Sequence, residues 1–380
     1  MKVNEYAQAH NVDRRSDQAR RPSQRPTRRP AKTGTAGLAA EHYTDEAIMT
    51  AERRSVFARG WTALCREDEV PVAGSFLATH LHEEPVVVVR DRGGKVRVLS
   101  NVCRHRGMLL AEGSGVSRRL SCPYHAWAYD LDGRLIGAPL MREWVDFDAC
   151  ALTQFQTWCW GGFVFANPSA NAKPPVLRRL DQSIAPYAMD GFHLIDVFEE
   201  EWPCNWKCLV ENFMDAYHLS VVHPETLHPL TPSALSRIDV SGKHFTSYTA
   251  HYAKTAPARK RGSAALSDDE RKQSRLFCVY PSMVASVSAD TLAFLMLQPA
   301  SADRVRVRWG LSSFEAKLSA RERRERVSKW QDINAEDHAV LARLQQGLQS
   351  AMYKPGPLAP PDLEGCISEF HRWYRDALQA

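Results

Sequence analysis

From Val86 onward the chain breaks into short apolar runs separated by polar or turn-forming residues, and the period of each run predicts an element. The unbroken Val86–Val89 run and Arg97–Leu99 read as short strands, with Asp130-Leu131-Asp132-Gly133 as a turn. Phe192–Glu199 is strand-like. Four alternating segments, Leu276–Tyr280, Met283–Val287, Thr291–Leu297 and Val305–Leu311, predict antiparallel strands. Helical spacing occurs elsewhere. An amphipathic lead-in helix contains Asp45 to Arg59 and ends near Gly60-Trp61. The run Trp206–Leu219 carries Leu209, Phe213 and Ala216 at i, i+4 and i+7, and Arg321–Ser350 carries Trp330, Ile333, Val340, Leu341 and Leu344. Phe370, Trp373 and Tyr374 give a C-terminal helix an apolar edge. No internal repeat is present.

Breaks in this pattern divide the chain into a tail (1–40), a lead-in helix with a first domain (41–169), and a second domain (170–380) opened by Lys173-Pro174-Pro175. The stretch 254–275 reads as a mobile loop beside an active site, or else as an exposed connection. The formal net charge is +5, but residues 1–40 hold nine Lys/Arg against three Asp/Glu, which leaves about −1 on the remainder. The basicity therefore belongs to a tail poor in large apolar residues. Such a tail predicts disorder rather than a nucleic-acid site. No run of 18 apolar residues predicts a membrane helix. No apolar leader accompanies Arg14-Arg15, so a cytoplasmic protein is expected.

Nine cysteines without an export signal argue against a disulfide scaffold. Two of them fall in a ligand pattern. Cys103-Arg104-His105 is followed, after sixteen intervening residues, by Cys122-Pro123-Tyr124-His125. Each loop offers one thiolate and one imidazole. Two thiolates suit one iron of a two-iron, two-sulfur cluster, and two neutral imidazoles suit the other, raising the reduction potential. A structural Cys₂His₂ zinc site is the alternative, although zinc fingers seldom mix one Cys and one His per loop. Further on, Asp215 and His218 stand at i and i+3 of the run Trp206–Leu219, and His223 follows just before Pro224. Two histidines at a helix end and one carboxylate can form a facial triad for ferrous iron.

With Cys-Pro-Tyr-His followed by Ala126-Trp127, the first constellation resembles the Rieske domain, where Gly more often occupies the place of Ala126. The second resembles the catalytic helix of Rieske ring-hydroxylating and demethylating oxygenases. The resemblance implies an α+β chain: an all-β Rieske domain, then a helix-grip catalytic domain with an antiparallel sheet around a long helix. It implies that Cys103, His105, Cys122 and His125 hold the [2Fe–2S] cluster, and that His218 and His223 hold a mononuclear Fe(II). Asp215 would then link His218 to a cluster histidine. The third iron ligand would be the Asp of an acidic pair, Asp337, with Glu336 as the alternative. Asn212, Phe213, Tyr217 and the strands over 276–298 are the candidate substrate pocket.

The activity so implied is insertion of oxygen from O2 into a small organic substrate. Nothing resembles a nicotinamide or flavin site. NAD(P)H would therefore act only through a separate reductase or ferredoxin. A compact core favours a chain working without a small partner subunit, and hence monooxygenation or oxidative demethylation over aromatic cis-dihydroxylation. The other classes to be weighed are a Rieske electron carrier and a zinc-stabilised binding module. The family implies a homotrimer in which one subunit's cluster serves its neighbour's iron.

Overall fold

The structure, a computed structural model, describes residues 35–379. The expected disorder over 1–34 lies outside these residues. Thr35 to Ala40, counted with that tail by composition, are held in place. The Gly37 N–H donates to the Gly356 carbonyl at 3.0 Å, the Leu358 N–H to that of Thr35 at 2.8 Å, and Leu38 is buried.

Two seven-stranded antiparallel sheets dominate. In spatial order the first runs Thr62–Arg66, Phe163–Asn167, Gln154–Trp160, Val96–Ser100, Glu84–Arg90, Ser75–Leu81 and Ser114–Val116. The unbroken valine run belongs to its interior. Val87 and Val89 face one core and Val86 and Val88 another, so the strand is apolar on both faces and shows no alternation. A small three-stranded sheet (Leu120–Ser121, Ala128–Tyr129, Leu135–Gly137) carries the Cys122 loop beside it. Asp130–Gly133 is the expected turn, closed by Gly133 N–H to Asp130 O at 2.9 Å.

The second sheet runs His193–Trp202, Arg304–Ser313, Thr291–Ser301, Met283–Val287, Gln273–Val279, Phe245–His251 and Ser236–Ile238. Its core takes in the helix Trp206–Phe213, the long helix Ala320–Leu348 through Leu341 and Leu348, and the helix Pro361–Gln379 through Phe370 and Tyr374. This is the expected grip of an antiparallel sheet on a long helix. The sheets share a core as well, where Phe163 and Phe165 of the first pack with Phe277, Phe294 and Met283 of the second. Among the described residues no helix is long and apolar enough to cross a membrane.

Two helices depart from expectation. The lead-in is broken at Asp45, whose extended backbone caps Glu46–Glu52, and it closes in a π-helical turn, Arg53–Phe57. The expected helix Trp206–Leu219 stops at Phe213 and resumes as Leu219–Val222. The apolar period ran across the break because the cause of the break is distant. The Ala216 N–H donates to the carbonyl of Leu363, and the Tyr217 N–H to the Asp215 carboxylate, so neither continues the helical ladder.

Candidate metal centres

The two Cys/His loops are built alike. The Cys103 carbonyl accepts from the Gly107 N–H and the Cys122 carbonyl from the Ala126 N–H, both at 3.0 Å. The Cys103 N–H donates to Met108 O at 2.8 Å, and the Cys122 N–H to Trp127 O at 2.7 Å. Each turn needs a left-handed residue, Gly107 at φ +79° in one loop and Ala126 at φ +58° in the other. Alanine there costs about 1 kcal/mol, which explains why glycine is the commoner choice.

Both thiols are buried and both histidines reach the surface side. The His105 and His125 rings lie 4.6 Å apart, and Trp127 stacks on His105 at 4.9 Å. The Tyr129 hydroxyl lies 3.4 Å from Cys103 Sγ and accepts from the Arg104 N–H at 3.0 Å. Burial raises the Cys103 thiol, against the stabilising hydroxyl of Tyr129, and neighbouring Cys122 raises it further. Two crowded thiols and the buried, unpartnered His105 Nδ1 fit a group that draws off their protons and fills their valences. Tyr129 has no motif of its own and was not anticipated.

The second site gathers His218 and His223 with Asp337, 119 and 114 positions further along the sequence. Asn205 caps the helix Trp206–Phe213 by accepting from the Lys207 N–H at 3.0 Å, and it donates to Ala302 O at 2.6 Å. Beyond the break, His218 opens Leu219–Val222 and His223 closes it ahead of Pro224. Across from them, Trp330, Ile333, Asn334 and Asp337 share one face of the long helix at i, i+3, i+4 and i+7.

His218, His223 and Asp337 each offer one ligand atom, all within 4.8 Å of one another. Asp337 Oδ1 lies 3.1 Å from His223 Nε2 and 3.7 Å from His218 Nε2. Ligands about 2.1 Å from one ion and at right angles lie about 3 Å apart; the 3.1 Å pair has that spacing, and the 3.7 Å pair is wider. His223 Nε2 and Asp337 Oδ1 are buried without hydrogen-bond partners, the state of a donor set shaped for an ion.

The outer nitrogens of both rings meet carboxylates. Asp215 Oδ2 lies 3.2 Å from His218 Nδ1, close enough for an ion pair though not aligned as a hydrogen bond. Glu336 Oε2 lies 2.7 Å from His223 Nδ1 and accepts from the Thr226 hydroxyl at 2.6 Å. Of the acidic pair, Asp337 therefore faces the Nε2 atoms of both histidines, and Glu336 faces the far side of the His223 ring. Burial would lower the His223 pKa, but Asp337 and Glu336 together raise it.

A cavity of about 40 Å³ opens on the triad, lined by Asn212 and Phe213 as expected. It shares Leu219, Leu227, Tyr248, Leu276, Trp330 and Ile333 with a second chamber of about 240 Å³. Ser286 and Thr291 from the expected strands, and Ser288 from the turn between them, line that chamber. Tyr217 lines neither space and is 58% exposed, because the helix that would have turned it inward ends four residues earlier. The 254–275 stretch contributes Arg259 to the chamber wall and is pinned, with Arg271 donating to the carbonyls of Arg259, Arg261 and Ser263.

Residues 60–156 match the Rieske [2Fe-2S] domain, and residues 185–380 match the ring hydroxylating alpha subunit (catalytic domain). The chain belongs to this family of Rieske alpha subunits, with a [2Fe–2S] domain followed by a mononuclear-iron domain. It is 35% identical over 205 residues to the glycine betaine monooxygenase oxygenase subunit of Chromohalobacter salexigens, covering 52% of this chain and 46% of that one. It is 35% identical over 199 residues to the biphenyl 2,3-dioxygenase alpha subunit of Rhodococcus jostii, covering 46% and 41%. The chain thus spans about half the length of these curated relatives. In fold it is similar to the quaternary ammonium Rieske monooxygenase CntA (TM-score 0.80, 21% identity, 91% of this chain and 96% of that one).

Proposed function

We propose that the chain is the oxygenase component of a Rieske system acting on a small organic molecule by monooxygenation or oxidative demethylation. The observation that carries this is the partly buried triad opening directly into a largely apolar cavity. In this reading Cys103, His105, Cys122 and His125 hold the cluster, and His218, His223 and Asp337 hold the iron. Together these groups supply electron delivery and dioxygen activation when bound. The chain's own residues do the rest. Glu336 and Asp215 fix the two imidazoles, and Asn212, Phe213, Leu227 and Trp330 orient the substrate and exclude water. Asp215 reaches from His218 toward the surface, where a neighbouring subunit's cluster would dock in a homotrimer.

Two relatives, the glycine betaine enzyme and CntA, are monooxygenases by name, which supports that branch over ring dihydroxylation. Electrons come from a separate reductase or ferredoxin. Metal analysis and oxygen uptake test the reading. The loaded protein is expected to contain about three irons and two acid-labile sulfides per chain. Asp337→Ala should lose one iron, keep the cluster's visible absorption, and consume no dioxygen with reductase and substrate present. A fully loaded Asp337→Ala protein would overturn the ligand assignment.

A further inference from the structure

The outer chamber has an unbalanced charge. Arg259, Arg326 and Lys329 line it, and among the described residues no Asp or Glu does. Arg326 is spoken for: its guanidinium pairs with Asp290 Oδ2 at 2.9 Å and donates to Asp290 O at 3.0 Å and Thr291 Oγ1 at 2.7 Å. The side chains of Arg259 and Lys329 have no ion pair or hydrogen bond among the described residues. Arg259 is half-buried, and its backbone is held in place. Its N–H donates to Arg271 O at 3.0 Å, and its carbonyl accepts from the Arg271 guanidinium at 3.4 Å. Two unpaired cations therefore border one space, Arg259 half-buried and Lys329 still reaching solvent. Partial burial, and then the charge of Arg259, lower the Lys329 pKa, as mutual repulsion requires.

An anion entering the chamber would relieve that repulsion, whereas a cationic group would add to it. The inner space at the triad offers the opposite environment, since Leu209, Phe213, Leu219, Leu295 and Ile333 make its wall. Lys329 precedes Asp337 by eight residues on one helix, a rise of about 12 Å. A charged head at Lys329 thus leaves a body of several carbons to span the distance to the triad.

We propose, on the reading of the triad as the reaction centre, that Arg259 and Lys329 anchor the carboxylate of an elongated substrate whose apolar body extends to the metal site. Very short acids, whose charge sits beside the reacting carbon, cannot reach both ends.

Calorimetry on the metal-loaded full chain tests this without turnover. The probes are octanoate, 4-phenylbutanoate and biphenyl-4-carboxylate, each with its methyl ester, and octyltrimethylammonium. At least one acid should bind about tenfold or more tightly than its ester. The Arg259→Gln/Lys329→Gln double variant should lose that preference while keeping the ester's affinity, which also shows that its cavity is intact. The proposal is overturned if no acid exceeds its ester, if the preference survives the double substitution, or if octyltrimethylammonium outbinds octanoate. Oxygen uptake is a separate measurement. Acids that bind as expected, in a protein that consumes no dioxygen with reductase, would sink the oxygenase reading and leave the anchor standing.

Discussion

At the scale of single residues, the second carboxylate of the acidic pair gives the sharpest test. Glu336 touches no metal position, yet its oxygen holds the Nδ1 of His223 at 2.7 Å. Removing a group that orients a ligand imidazole lowers metal affinity by about 10–100-fold. Glu336→Ala is therefore expected to weaken ferrous binding by that factor in an anaerobic titration, with the cluster spectrum unchanged. An unchanged affinity would mean that packing alone fixes the ring. The proposed ligand types can be read from spacing alone, because each pair of thiol and imidazole, and His218 with His223, sit within a few residues of one another. The role of Glu336 was not. It depends on Thr226 and His223 arriving from 110 and 113 residues away, which no local spacing encodes. Tyr217 was misplaced for the same reason, since its direction depends on where a helix ends.

Among elements, strands were the most legible part, because alternation or a run of valines reports burial directly. The termination of the helix Trp206–Phe213 was hidden, since the carbonyl that captures Ala216 belongs to Leu363. The same helix is tied to the lead-in by a buried ion pair, Lys207 Nζ to Glu52 at 2.6 Å, both fully buried. Trp206 Nε1 and the Tyr374 hydroxyl also donate to Glu52, at 2.7 and 2.6 Å. Glu52→Ala would leave the Lys207 charge buried alone and is expected to cost about 3–5 kcal/mol in urea unfolding. Replacing both partners together, Glu52→Leu with Lys207→Met, should cost clearly less. Equal losses would show that packing, rather than the charge, is at stake.

A second element carries pH dependence. His82, at the tip of the hairpin joining Ser75–Leu81 to Glu84–Arg90, donates its N–H to Gln298 at 2.6 Å and packs on Phe57 at 5.1 Å. Burial, then Arg53 and Arg306, lowers its pKa to about 4. The unfolded chain takes up the proton first, near pH 6.5, so this contribution is whole above about 6.5 and falls away as pH drops toward 4. At most about 3 kcal/mol is involved. Urea midpoints should fall between pH 7 and pH 4.5, with a shallower fall in His82→Gln. Identical slopes would assign the acid sensitivity to other groups.

For the whole molecule, the two-domain order and the grip of sheet on helix were legible, because each domain carries its own motif and pattern. How the sites meet was not, since that concerns surfaces rather than periods. The exposed apolar side chains are informative here. Tyr124, Leu140 and Trp144 stand on the cluster-bearing part of the chain, at 55%, 102% and 84% exposure. Tyr217 and Val221 stand beside His218 and His223 in the chain, at 58% and 81%. In the proposed trimer, large apolar groups left in water on both parts of the chain would be covered by a neighbouring subunit. Patches that differ in composition suit a head-to-tail contact, which closes into a ring under three-fold symmetry. His125 is exposed on the first surface, and Asp215 borders the second. Across such a contact His125 and Asp215 would complete a path from one subunit's cluster to its neighbour's iron. Two inactive variants, His105→Ala in the cluster and His223→Ala in the triad, should then restore activity when co-assembled, because some junctions join an intact cluster to an intact iron. The comparison needs mixed assemblies verified by mass and a control in which the two variants are combined only after separate assembly. Activity in the co-assembled sample alone supports the cross-subunit path. Verified mixed assemblies without activity would mean that each chain runs its own electrons, and that the exposed residues at Trp144 and Val221 serve another contact.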